Sequence, residues 1–201
     1  MKQIILMAAF IAGLTAAQAQ EQLSRQEALK YAFIVSADLP AMLKTPIPTD
    51  PDVKRPVALR DGDYGGMVLP ETKLRAEIFS QVGKEAAPVG QLWLLKLVPL
   101  SDGQPVPASK LRMVEVKSED AQATVTCCAL GVRKAGEDGL ELLVYGKDKE
   151  PVIRAPLRAI SRQEEDPIAM SAERKDDGGH VTLRFLGKYE ANFIVTDPDQ
   201  Y

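Results

Sequence analysis

The chain has 201 residues, with 25 lysines and arginines against 28 aspartates and glutamates and a formal net charge of −3. This length fits one large domain, or a domain with an N-terminal appendage. Charges of both signs are interspersed, which excludes the basic stripe of a nucleic-acid-binding protein and the polybasic patch of a membrane-surface protein. We therefore expect no nucleic-acid partner.

Residues 1–19 have the three-part organisation of a secretory signal peptide. Lys2 supplies the positive charge, residues 4–16 form an apolar core too short to span a membrane comfortably, and Ala17-Gln18-Ala19 supplies a small-x-small cleavage pattern. Position 20 is glutamine, so no cysteine stands there for lipid attachment. The sequence predicts export to the periplasm or cell surface, with no membrane span after cleavage. An uncleaved anchor is the alternative.

Residues 20–45 are predicted to form an N-terminal helical segment. Ser24 and Glu27 match the capping box, in which each side chain bonds the other residue's backbone amide. Apolar residues follow at helical spacing on one face, and the stripe includes Leu29, Phe33 and Val35. This stripe is a candidate interaction face for an envelope protein or a second copy. Packing on its own domain is the favoured alternative.

Residues 46–56 hold four prolines, which forbid a helix and predict an extended linker. We assign residues 57–201 to one β-rich domain. Its first turn, at residues 61–66, begins like a calcium loop, but position 12 of that loop would be Thr72 instead of an acid, so a hairpin turn is favoured. Residues 71–82 fit a helix or a strand, and we favour the helix.

The most apolar stretch of the mature chain is residues 92–100, which contain the single tryptophan, Trp93. A strand that is apolar on nearly both faces must be covered on both. After it, turn residues recur about every ten positions, which is typical of a sandwich. The sequence therefore predicts a mainly β fold, an immunoglobulin-like antiparallel sandwich with an N-terminal helix, whose core begins at about residue 89.

One short segment, Asp102-Gly103-Gln104-Pro105-Val106-Pro107, resembles the turn of bacterial immunoglobulin-like modules of the invasin type. In that family a Gly-x-Pro-Val-Pro run joins consecutive strands of a sandwich. Here Ala108 follows, where the family usually has glycine. The resemblance covers six residues, and it implies an exported structural or adhesive module.

The residue types needed for catalysis are sparse. His180 is the single histidine, beside a glycine turn and without a nucleophile motif, so we expect no catalytic site. Cys127 and Cys128 are adjacent in a predicted strand and would point to opposite faces. They are candidate redox or disulfide residues with three alternatives: buried free thiols, a bridge to a second chain, or a strained vicinal disulfide. We expect no metal and no cofactor.

These patterns favour a non-catalytic structural or protein-binding module of a bacterial cell envelope, with pilus association as one form of it. The expected partner is an envelope protein or a second copy of the chain. The alternative is a lipocalin-like carrier of a small ligand, which needs a closed cylindrical sheet around an apolar cavity. A hydrolase is the third hypothesis.

Overall fold

The structure is a computed structural model that describes residues 20–37, 39, 46–118, 122–137 and 139–200. The predicted signal peptide and its cleavage site lie outside the described residues.

Two α-helices and two short 3-10 helices occur in the described part of the chain, namely α1 (Arg25–Ser36), α2 (Ala76–Gln81), Ala108–Lys110 and Pro198–Gln200. The same residues form thirteen strands. These are β1 (Glu21–Gln22), β2 (Val57–Asp61), β3 (Tyr64–Pro70), β4 (Ala87–Leu95), β5 (Val98–Ser101), β6 (Gln104–Pro105), β7 (Arg112–Lys117), β8 (Gln122–Ala135), β9 (Gly139–Tyr145), β10 (Pro151–Ala159), β11 (Ile168–Lys175), β12 (Gly178–Phe185) and β13 (Tyr189–Thr196).

The strands pair in one antiparallel path, in the order β1-β2-β3-β4-β8-β9-β10-β13-β12-β11. β5 pairs with β13 and β6, and β7 pairs with β8. The path turns at β10, because Pro151–Leu157 pairs with β9 whereas Arg158 and Ala159 pair with β13. The sheet curls until β11 contacts β2 and β3. The mainly β prediction is confirmed, whereas this pairing is that of one curled sheet and does not confirm an immunoglobulin-like sandwich.

The central strands β4 and β8 are buried on both faces. Their inner side chains, Leu92 and Leu94 on β4 and Cys128 and Leu130 on β8, enter the main core inside the curl. Trp93 points to the outer face and packs in a second cluster beneath α1. The predicted double burial of this stretch is therefore confirmed, and Trp93 is 3% exposed.

The prediction of one continuous strand over residues 92–100 is wrong. Lys96 adopts a positive φ of 55°, which ends β4 and redirects the chain. Val98 then begins β5, which pairs with β13 at the far end of the path. The apolar stretch thus supplies two strands because one residue in its middle takes a left-handed conformation.

Residues 71–82 form a helix, but a shorter one than the sequence suggested. Pro70 ends β3 and turns precede α2, which begins at Ala76. Phe79 is buried and its ring stacks on Tyr189, with 4.8 Å between the ring centroids. The helix therefore closes one part of the main core.

The proline-rich segment 46–56 is held against the domain. Thr49 is buried, and its hydroxyl accepts a hydrogen bond from Gln91 Nε2 at 2.8 Å. The backbone amide of Asp50 donates to both carboxylate oxygens of Glu71 at 2.9 Å. These contacts bring the N-terminal segment and the sheet into one packed unit.

The predicted turns are present where the structure describes them. Gly62, with φ 59°, lies in the β2–β3 hairpin. Asp102 and Gly103 both have positive φ and connect β5 to β6, which is the geometry of a two-residue hairpin turn. The segment that resembles the invasin-type turn therefore forms a local hairpin.

Trp93→Ala should lower the free energy of unfolding by about 3–5 kcal/mol, since it leaves a cavity under α1. It also leaves Gln91 Oε1, which accepts from Trp93 Nε1 at 3.2 Å, without that donor. Phe33→Ala is the matched control, because the Phe33 side chain is 64% exposed and its loss should cost at most about 0.5 kcal/mol. Urea unfolding measures both. Equal losses for the two variants would contradict this packing.

Candidate functional site

Helix α1 lies across the outer face of the sheet. It begins as predicted, with Ser24 Oγ accepting from the amide of Glu27 and the Glu27 carboxylate accepting from the amide of Ser24. The Ser24 hydroxyl also donates to Glu27 Oε2 at 2.6 Å, and this hydrogen bond, followed by the one from the Ser24 amide, is the main cause that lowers the pKa of the Glu27 carboxyl group. The helix contacts both β2 and β7, and therefore spans the strands between them.

The predicted interaction stripe of α1 divides between two faces. Val35 is 5% exposed and packs in the outer cluster with Ala28 and Ala32, so it belongs to the intramolecular core instead of an interaction face. Leu29 is half-buried and Phe33 is exposed. The small side chains of Ala28 and Ala32 let the helix approach the sheet closely. Phe33 lies on a different side of the helix and is exposed.

Three large apolar side chains are exposed in the described part of the chain: Tyr31, Phe33 and Met113. Two lie on α1, and the third, Met113, lies on β7 opposite Thr126, so its side chain points to the face of the sheet away from α1. We call these three residues, together with strand β7, the α1–β7 surface. They lie on both faces beside the same strand edge, and we treat this edge as the candidate interaction site.

Strand β7 is an edge strand. Its residues pair with β8 in an uninterrupted register from Arg112 opposite Cys127 to Lys117 opposite Gln122. Among the described residues no strand pairs with its other side. Val114 and Val116 pack in the outer cluster under α1, whereas Met113, Glu115 and Lys117 are exposed. A strand edge of this kind can offer backbone donors and acceptors to a further strand.

An apolar groove of about 430 Å³ lies between α1 and the outer face of the sheet. Trp93 and Val125 form part of its floor and Tyr31 part of its wall. Its rim carries an ion pair between Lys96 Nζ and Asp63 Oδ2, 3.1 Å apart. This volume falls in the ~300–1,000 Å³ range of small-molecule sites.

A polar seam joins the two ends of the curled sheet. Asp61 Oδ2 on β2 lies 3.6 Å from Arg174 Nη1 on β11. The Arg174 guanidinium lies 5.8 Å from the ring centroid of Tyr64, and Tyr64 Oη donates to Asp197 Oδ2 at 2.7 Å. This hydrogen bond is the main cause that raises the pKa of Tyr64 and lowers the pKa of Asp197.

The interior of the curl has little free space. Beneath the seam a cleft of about 100 Å³ reaches Leu94, Met170 and Val181. Leu142, Leu183 and Phe185 fill the centre and are fully buried. The cleft has about one third of the ~300 Å³ at the lower end of ordinary ligand sites.

The two cysteines are free and buried. Cys127 packs in the outer cluster and Cys128 in the main core, so they point to opposite faces of the unbroken strand β8. Burial raises the pKa of the Cys128 thiol to about 12 and raises that of Cys127 as well. Of the three alternatives, the structure contains the buried free thiols.

His180 lies on β12 beside the turn, as predicted, and Nε2 is 2.7 Å from Asp177 Oδ1. This contact is the main cause of the lowered pKa of Asp177. Among the described residues no serine or cysteine forms a hydrogen bond with His180. The same residues contain no group of three His, Cys, Asp or Glu side chains placed to hold a metal ion.

Sequence reasoning found Phe33 but missed Met113 and the edge of β7. The side chains of Met113 and Glu115 are both exposed and lie on the same face of β7. Whether β7 is an edge strand depends on the order of the strands in the sheet, which is set by contacts between distant residues. No residue pattern within β7 itself carries that information.

Neither cysteine should react with Ellman's reagent in the folded protein at pH 8, because burial keeps both thiols protonated and out of contact with the reagent. Two thiols per chain should react after unfolding in guanidinium chloride. The absorbance of the thiolate released by the reagent measures the number of reacted thiols, and about two per chain are expected after unfolding. Rapid labelling of one thiol in the folded state would show that β8 opens locally.

No helix in the described part of the chain has the length and apolar character needed to cross a membrane. Comparisons with protein-family models, curated proteins and solved structures found no match to this chain.

Proposed function

We propose that this chain is an exported, non-catalytic protein-binding module of a bacterial cell envelope, located in the periplasm or at the cell surface. The observation that carries the proposal is the α1–β7 surface, where Tyr31, Phe33 and Met113 are 46%, 64% and 44% exposed. Exposed apolar side chains beside an open strand edge provide both contact area and backbone hydrogen bonds for a partner.

Three further observations support this proposal. The N-terminal residues have the signal-peptide pattern. The segment Asp102–Pro107, which resembles invasin-type modules, is consistent with a structural or adhesive role in a sandwich-like envelope protein, and a pilus-associated assembly is one setting for such a role. His180 and the two cysteines lie in separate places, which weighs against a hydrolase.

The export prediction has a direct test. Protein purified from its native envelope should begin at Gln20, because cleavage follows Ala19. Intact-mass measurement and N-terminal sequencing check this. A chain that retains Met1 would contradict cleavage.

Phe33→Ser should abolish or strongly weaken capture of the envelope partner without destabilising the domain, since Phe33 contributes exposed apolar area. The immobilised mature protein is exposed to envelope extract, and the bound protein is identified and titrated. Phe33→Leu is the matched control and should retain binding because it keeps an apolar side chain. Equal capture by the Ser variant would contradict a role for this surface.

A second candidate function is that of a carrier for a small apolar ligand. The apolar groove beside Trp93, at about 430 Å³, favours it. Titration with a fatty acid should then change the fluorescence of Trp93 saturably, and Ala123→Phe, which fills the groove, should remove the change. An unchanged fluorescence of Trp93 would contradict the carrier function, and protein binding would be the remaining proposal.

A further inference from the structure

Strand β7 differs from the other edges of the described sheet. β1 and β6 have two residues each, so they offer little to pair with. β11 is long, but it lies against β2 and β3, where Arg174 pairs with Asp61. β7 has six residues, no proline and no break in register. Proline, bulges, short length and charged side chains are the usual devices that protect an edge. β7 has none of the first three, but it carries Arg112, Glu115 and Lys117.

We propose that β7 pairs antiparallel with β7 of a second copy of this chain, about a two-fold axis at Val116. This inference rests on the proposed function, because it names the partner of the α1–β7 surface. A two-fold axis perpendicular to a sheet keeps each side chain on its own face, so only registers that pair residues of the same face are allowed.

The charges of β7 select one of these registers. Registers centred on Arg112, Glu115 or Lys117 place each of these residues opposite its own copy, and like charges face each other. With a centre at Met113 or Val114, Glu115 faces an uncharged residue. These five centres therefore gain no ion pair between directly opposed residues.

The register centred on Val116 gains two ion pairs. Glu115 of each copy then lies opposite Lys117 of the other, and both side chains are exposed on the same face. Lys117 has no ion pair among the described residues, and Glu115 Oε2 accepts a hydrogen bond from Gln122 Nε2 at 3.2 Å. On the other face Val116, which is 9% exposed, meets its own copy, and this places two β-branched side chains opposite each other.

Helix α1 adds contact area to the proposed interface between the two copies. It follows β1, which pairs with β2, and it reaches β7 across the outer face. The two-fold axis places both copies of α1 on one face of the extended sheet, with the ends nearest β7 approaching each other. A strand ladder of five residues is small by itself, so contact between the helices supplies part of the area that a stable dimer needs.

The mature wild-type chain should sediment as a dimer whose fraction rises with protein concentration. Glu115→Lys and Lys117→Glu should each weaken this dimer by roughly tenfold or more, because each variant places two pairs of like charges opposite one another. An equimolar mixture of the two variants should form a heterodimer, since the lysines of one chain then face the glutamates of the other. The double variant Glu115→Lys/Lys117→Glu should again form a homodimer.

The matched control is the same change on β11, where Glu173 and Lys175 form a 3.3 Å ion pair within the chain. Glu173→Lys and Lys175→Glu carry identical charge changes and should leave the dimer unchanged. Analytical ultracentrifugation measures association, and circular dichroism verifies that each variant is folded.

A wild-type chain that remains monomeric at all concentrations would overturn the self-pairing, and so would a dimer that the β7 reversals do not weaken or that their mixture does not restore. Either result leaves the proposed function testable by itself, because capture of a different protein through Phe33 does not require a second copy. If Phe33→Ser abolished dimerisation and the β7 charge reversals left it unchanged, the dimer interface would lie on α1 and the pairing of β7 would be overturned.

Discussion

The constraint on which the structure depends is that its central strand pair, β4 and β8, is apolar on both faces. Leu92 and Cys128 face one way, whereas Trp93 and Cys127 face the other, so neither side of this pair can meet water. The curl of the sheet covers the inner face, and α1 with segment 46–56 covers the outer face. The N-terminal helix is therefore part of the fold's core, which explains why small residues occupy its sheet-facing positions.

The curl brings together the ends of the sheet without joining them by a continuous ladder. Asp61 on β2 forms an ion pair with Arg174 on β11, and Tyr64 on β3 donates to Asp197, which follows β13. Exposed ion pairs and single hydrogen bonds are weak compared with a strand ladder. The apolar packing of the interior therefore contributes more than these two contacts to holding the ends of the sheet together.

The sequence predicted features that depend on local pattern. The capping box at Ser24 and the hairpin turns at Gly62 and Gly103 follow from the chemistry of a few neighbouring residues, and the structure contains them. Alternation indicated the double burial of Trp93. The break at Lys96 was not predictable, because a lysine with positive φ is stabilised by its surroundings rather than by its own preference. The strand order was not predictable either, since pairing of β5 with β13 joins residues almost a hundred positions apart.

The candidate site lies where the outer cover of the sheet ends. Helix α1 covers β7 on one face through Val114 and Val116, and its own far side carries Phe33. The next position in the sheet beyond β7 is unoccupied among the described residues, although the face beside it is already apolar and covered. A strand added at this edge would form backbone hydrogen bonds with β7, and its outer side chains would lie next to α1. The packing that buries the outer face thus also prepares the edge next to it for a partner, and Glu115 and Lys117 give that edge the charge pattern to distinguish one register from another.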